Sequence, residues 1–161
     1  MTLQTPLVLP RGVGEHFAFL NTLATVKLGG DRSGGVLSCV ELLAPRGFGP
    51  PLHRHDVEDE LFYIADGEVR FMAGDTDEVA VSGGTVWLPK LLPHQFQVLS
   101  DTARIFQVTT PAQFEDFVAA LGTPMESAVL PEPVEIDGAK VAKVCAEFQI
   151  EVLGPPPPPL V

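Results

Sequence analysis

Short apolar segments, broken repeatedly by glycine and proline, set the terms on which this chain can fold. The chain of 161 residues holds 15 Gly and 16 Pro. Such punctuation interrupts long helices and favours an all-β fold with many turns. The pattern predicts strands over 36–43, 60–65, 68–73, 78–81, 85–88, 94–99 and 104–109, with one or two more over 16–28. Asp66-Gly67 reads as a strong hairpin signal, because Gly accepts a positive φ without a Cβ clash. Gly83-Gly84 marks another tight turn and Gly74-Asp75 a third.

Helical periodicity enters only after the strands. Thr110, Pro111 and Gln113 fit an N-cap, a first-turn proline and a capping-box glutamine. Phe114, Phe117, Val118 and Leu121 then recur at helical spacing, and Gly122 is a natural stop. A second stripe places Val141, Val144, Cys145 and Phe148 on one face. Both stripes are expected to pack on the strands rather than on a partner. The tail, 154–161, carries five consecutive prolines, which favour an extended polyproline segment. It is expected to be a terminal arm, with a proline-binding partner as the alternative.

Composition narrows the function classes. A formal charge of −11 argues against nucleic acid and against anionic membrane surfaces. No apolar run approaches the roughly 20 residues that span a bilayer. The N-terminus lacks a basic stretch followed by an apolar one, so no signal peptide is expected and the protein reads as cytoplasmic. Cys39 and Cys145 lie far apart in no CxxC pattern and are read as two buried free thiols.

Chemistry concentrates in the few histidines. The chain has four, and two of them form His53-Arg54-His55. Residues two apart in a strand share a face, so both imidazoles can converge on one point. Glu60 opens the next expected strand, with a turn or bulge through 56–59 needed to bring its parity into line. His94 opens another, in register with Phe96 and Val98, while Glu60 shares a face with Phe62 and Ile64. Three neutral imidazoles and one carboxylate suit a first-row divalent metal and leave coordination positions open. The donor set admits Fe, Mn, Ni, Co or Zn. An HxH pair alone is weak support for a metal. Burying several titratable groups in an apolar barrel is costly unless they are paired or ligated, and that favours the metal reading. Glu58 and Asp59 stand second to Glu60, as solvated turn acids. His16 is read as an ordinary N-terminal residue.

These residues resemble the two motifs of the cupin family. Gly47, His53, His55, Glu60 and Gly67 follow the first motif without deviation. Gly83, Pro89 and His94 follow the second, in which Leu91 replaces a glycine and Val98 an asparagine. The chain further resembles single-domain bacterial cupins similar to quercetin 2,3-dioxygenase, through residues 47–68, the FEDFVAALGTP stretch and the EVLGPPP ending. The resemblance implies one all-β domain over 1–161, a double-stranded β-helix (jelly-roll) barrel with short C-terminal helices. Its barrel core is expected over about 16–110, its helical region over 111–150 and its proline-rich tail over 154–161. It implies one divalent metal on His53, His55, Glu60 and His94, and a homodimer.

The activity it implies is dioxygenation of a flavonol or other enolisable aromatic. Glu60 would be both ligand and general base for the substrate hydroxyl. Phe62, Ile64 and Phe96 are candidates for an apolar wall against the ring, or for plain barrel filling. Two alternatives stand beside it, because fold alone does not license an activity. One is another metal cupin enzyme, such as an isomerase or cyclase. The other is a non-catalytic small-ligand binder.

Overall fold

Twelve strands and three short helices make up the described part of the chain. The computed structural model describes residues 5–160. Residues 1–4 and Val161 lie outside it, and with them the ends of the N-terminal and tail readings.

In chain order the elements are β1 (Glu15–Phe19), β2 (Thr22–Leu28), α1 (Gly30–Ser33), β3 (Ser38–Pro45), β4 (His53–His55), β5 (Asp59–Asp66) and β6 (Glu68–Ala73). There follow β7 (Thr76–Val81), β8 (Thr85–Leu88), β9 (His94–Val98), β10 (Thr102–Thr110), α2 (Phe114–Leu121), β11 (Thr123–Met125), α3 (Gly138–Glu147) and β12 (Ile150–Val152). Seven strands form one antiparallel sheet in the order β11-β1-β2-β3-β10-β5-β8, and five form another in the order β12-β4-β9-β6-β7. The two apolar faces close on each other, with Phe62 of the larger sheet against Phe71 and Phe96 of the smaller. This is the expected jelly-roll barrel. Every strand foreseen is present, most of them one or two residues longer or shifted.

The turns divide differently from the expectation. Gly74-Asp75 is a true two-residue hairpin, joining β6 to β7 with Ala73 opposite Thr76. Asp66-Gly67 is not a hairpin, because β5 and β6 belong to different sheets. Gly67 instead turns a corner between the sheets at φ 94°, where an added Cβ would lie 2.6 Å from both Ser100 Oγ and Thr102 O. Glycine is required there for space as well as for φ. Gly83-Gly84 is a tight turn, and it too passes from one sheet to the other.

The first long helix starts later than its apparent cap. Thr110 stays in the β10 ladder opposite Asp59 and donates its hydroxyl to Val36 O, so it cannot cap a helix. Gln113 is the N-cap residue, and its amide donates to Phe148 O instead of closing a capping box. Gly122 ends α2, with extended rather than left-handed backbone. Helix α3 buries Val141, Val144 and Cys145 as expected, and Asp137 caps it by accepting from Lys140 N. Phe19, Phe114, Phe117 and Phe148 form an edge-to-face cluster that ties both helices to β1. Each fully buried Phe of this kind is worth roughly 1.5–3 kcal/mol. The strands and both helices share one core.

Of the two free thiols, Cys145 is buried and Cys39 only partly so, on the outward parity of β3. Burial pushes the Cys145 thiol up to about 11, which keeps it unreactive. The proline tail packs on its own chain. Pro155 O accepts from Leu52 N, and Pro158 O accepts from the Gln97 amide.

Candidate metal centre

Four side chains meet at one end of the barrel. His53 and His55 point inward from β4, and His94 stands opposite His53 in the adjacent strand β9. Glu60 reaches them from β5, in the facing sheet. The parity problem between His55 and Glu60 is solved by this change of sheet across residues 56–59. One ligand atom from each of the four lies within 4.8 Å of the others. His94 Nε2 is 2.9 Å from Glu60 Oε2, and His55 Nε2 is 3.6 Å from Glu60 Oε1.

Each imidazole is held by its far nitrogen. Nδ1 of His53 lies 2.8 Å from Pro51 O, and Nδ1 of His94 lies 2.9 Å from Leu92 O. A carbonyl only accepts, so both Nδ1 atoms carry the proton. His55 Nδ1 lies 2.8 Å from Glu58 Oε2, which orients it in the same way. In the neutral imidazole Nε2 is then a lone pair, and the three Nε2 atoms face the centre. Glu60 Oε1 accepts from the Gln107 amide at 2.8 Å. Glu60 Oε2 is buried with no hydrogen-bond donor aligned on it. Lone pairs aimed at a buried carboxylate repel unless a cation lies between them. The donor set and the orphaned oxygen therefore fit a divalent metal.

Electrostatics support the same reading. Burial, reinforced by the neighbouring His94 and His55, pushes His53 down to about 3, so it is neutral at physiological pH. Burial pushes His55 down as well, but Glu60 and the hydrogen bond to Glu58 outweigh it, and its pKa is raised. Burial would raise Glu60, yet the neighbouring His55 and His94 hold it down to about 2.

Two functional neighbours went unread in the sequence. Glu58 is 1% exposed, not a solvated turn acid. It shares parity with Glu60, Phe62 and Ile64, and that was a usable signal. Gln107 sits on the buried parity of β10 among Ala103, Ile105 and Thr109, where a lone amide stands out. Asp59 is a half-buried residue that opens β5 rather than a turn acid, and it accepts from Lys90 N.

The turn before His94 keeps its shape without the motif glycine. Leu91 adopts φ 68° and donates its N–H to His55 O. Its side chain is 55% exposed, so the left-handed backbone is strained but not crowded. Val98 is fully buried in the core, and its backbone exchanges hydrogen bonds with Gly47 and Phe48.

Phe62 and Phe96 line the cavity at the ligands, together with Phe48, Phe114 and Phe117. Ile64 is fully buried but does not face that cavity.

Comparison with known proteins agrees with this geometry. Residues 39–108 match the family described as Cupin domain. A curated quercetin 2,3-dioxygenase from Bacillus subtilis (strain 168) is 25% identical over 150 residues, 92% of this chain. The chain covers only 44% of that relative's length. Among solved structures, an RmlC-like cupin from Shewanella frigidimarina NCIMB 400 superposes with a TM-score of 0.55 at 16% identity, covering 67% of this chain and 90% of the other. KdgF from Halomonas sp. superposes with a TM-score of 0.54 at 14% identity, covering 60% and 85%. The motif spacings, the two-sheet barrel and the inward His and Glu side chains agree with these matches: the chain has the cupin fold, carries a Cupin domain match over residues 39–108 and resembles quercetin 2,3-dioxygenase.

Proposed function

We propose that this protein is a metal-dependent dioxygenase acting on a small flavonol-like or other enolisable aromatic substrate. The observation that carries the reading is Glu60. One of its oxygens is pinned by Gln107, and the other is buried, unpaired and aimed among three imidazole lone pairs. A divalent metal held by His53, His55, Glu60 and His94 would supply Lewis acidity toward an ionised substrate hydroxyl and a partner for dioxygen. Glu60 Oε2 is the atom placed to take the hydroxyl proton. Burial raises the pKa of Glu60 while a bound cation would lower it, and these opposing effects would poise it as the base. Phe62 and Phe96 line the inner cavity and exclude water from the ligand cluster. The likeness to a quercetin 2,3-dioxygenase supports the substrate class.

The test is metal analysis of the purified protein, with oxygen uptake measured on flavonols in the same preparation. About one metal per chain with uptake is expected. Bound metal without uptake would replace this reading with the second one, a metal cupin isomerase or cyclase, or a non-catalytic binder. The small size of the cavity at the ligands, about 60 Å3, favours that second reading for a compact ligand.

We further propose a single-domain homodimer in the cytoplasm. The single shared core supports one domain. Leu61, Tyr63 and Trp87 are exposed on the outer face of the larger sheet, where Leu61 and Trp87 pair, and support a sheet-to-sheet dimer. The free thiols support a reducing compartment. No helix among the described residues is long and apolar enough to cross a membrane.

A further inference from the structure

The cavity at the ligand cluster is too small for an aromatic substrate. Its volume of about 60 Å3 takes only a few water-sized groups, at roughly 10–15 Å3 each. Ligands with several rings occupy sites of roughly 300 Å3 or more. An open cleft of about 640 Å3 lies beside it. Leu20, Phe48, Pro50, Pro51, Val141 and Val152 face both spaces. The cavity and the cleft are therefore adjoining chambers with one apolar partition.

The partition is assembled from distant parts of the chain. Leu20 lies in the two-residue β1–β2 turn at φ 50°, an unfavourable conformation for a side chain, and packs against the core from there. Phe48 rests on Phe96 with ring centroids 5.9 Å apart. Val141 comes from α3 and Val152 from β12.

The cleft differs chemically from the rest of the surface. The chain carries 21 acidic residues, yet among the described residues none of them lines the cleft. Its single charged lining residue is Arg46. Among the described residues Arg46 pairs with no carboxylate; its guanidinium donates to the carbonyl of Leu99. The Asn21 amide is already engaged on both sides by the backbone of Val134. The remaining lining is proline, glycine, aliphatic side chains and Phe48.

We propose that this cleft binds the aromatic body of the substrate, a largely apolar planar molecule bearing a phenolate or similar anionic group that meets Arg46. The oxygen-bearing end passes the partition of Leu20, Phe48 and Val141 toward Glu60. The inference deepens the dioxygenase reading and rests on it for the chelating end alone.

The test uses 1-anilinonaphthalene-8-sulfonate, an aromatic anion whose fluorescence reports binding, with the full chain loaded with metal. Ala142→Trp fills the cleft from a residue that does not line the inner cavity. One saturable site per chain is expected in the wild type. Affinity should fall about tenfold in Ala142→Trp through steric exclusion, and by a similar factor in Arg46→Gln through the lost charged contact, with metal content unchanged in both. Should Ala142→Trp fail to fold, Gly138→Phe replaces it, since a Cβ there meets nothing within 4 Å. Wild-type affinity in the filled variants, or no probe binding at all, would overturn the proposal. Displacement of the probe by 3-hydroxyflavone is expected. Its failure, with the probe site otherwise behaving as described, would remove the flavonol reading and leave the aromatic-anion site standing.

Discussion

Two stretches of chain supply the candidate metal centre, and they keep their shape by different means. Residues 47–67 provide His53, His55 and Glu60, and end at a glycine with no room for a Cβ. Residues 83–98 provide His94, and carry Leu91 where the second cupin motif has a glycine. Both Gly67 and Leu91 hold a left-handed backbone, at φ 94° and 68°. At Gly67 a Cβ would run into Ser100 and Thr102 from the neighbouring loop. At Leu91 the side chain leaves toward solvent. Positive φ alone is a modest cost that a turn can absorb; positive φ with no room for a Cβ is a much larger one.

The largest break in this comparison is removal of a ligand. His94→Ala and His53→Ala should each lose the metal, and with it the stabilisation that binding adds, about 4 kcal/mol when metal is held at about 1,000 times its dissociation constant. At roughly 2–4 °C per kcal/mol for a chain of this size, the melting temperature should fall by about 8–16 °C. Full metal content in both variants would remove the site.

Next comes the corner glycine. Gly67→Ala should destabilise the protein by about 3 kcal/mol, from backbone strain and overpacking together. A denaturant midpoint within error of wild type would show that the corner can open. Glu58→Gln should then weaken metal affinity by about 10–100-fold while leaving the barrel folded, because His55 loses the carboxylate that orients it. Competition with a chelator measures this directly, and an unchanged constant would reduce Glu58 to packing.

The pH dependence separates two imidazoles within the first stretch. In the metal-free protein the pKa of His53 is lowered from 6.5 to about 3. The unfolded chain takes that proton first, so its contribution to stability is present above 6.5 and lost as pH falls toward about 3. His55 has the opposite sign. Its pKa is raised, so its contribution is complete below 6.5 and lost as pH rises through the folded value. His53→Asn should flatten the acid side of a melting-temperature profile between pH 7 and 4. The same slope in that variant would assign the effect to other groups.

The smallest effect sharpens the comparison most. Leu91→Gly should be neutral to slightly stabilising, by about 0.5–1 kcal/mol, because relief of the left-handed strain is partly offset by the greater entropy of the unfolded chain. Destabilisation by chemical denaturation would mean that the exposed Leu91 side chain makes a contact that matters.

Much of the site was legible from local spacing. An HxH step places two imidazoles on one face wherever the backbone is extended, and His94 heads a strand whose apolar parity points inward. Glu58 and Gln107 were also on buried parities, but a polar residue there can be a ligand, a partner to a ligand or a surface group at a strand end. Choosing among those roles needs the other sheet. The hairpin expected at Asp66-Gly67 failed for the same reason: glycine announces a turn, and what the turn joins depends on which sheet each flanking strand enters.

The alternation of apolar residues, the turn positions and the choice of the four candidate ligands follow from the order of residues along the chain, because strand and turn geometry are short-range properties of the backbone. The assignment of strands to two sheets, the pairing of β12 with β4, the burial of Glu58 and the partition between the two chambers required the folded molecule. Those features join residues dozens of positions apart, and such contacts form only when the loss of loop entropy is repaid by a core that local spacing does not specify.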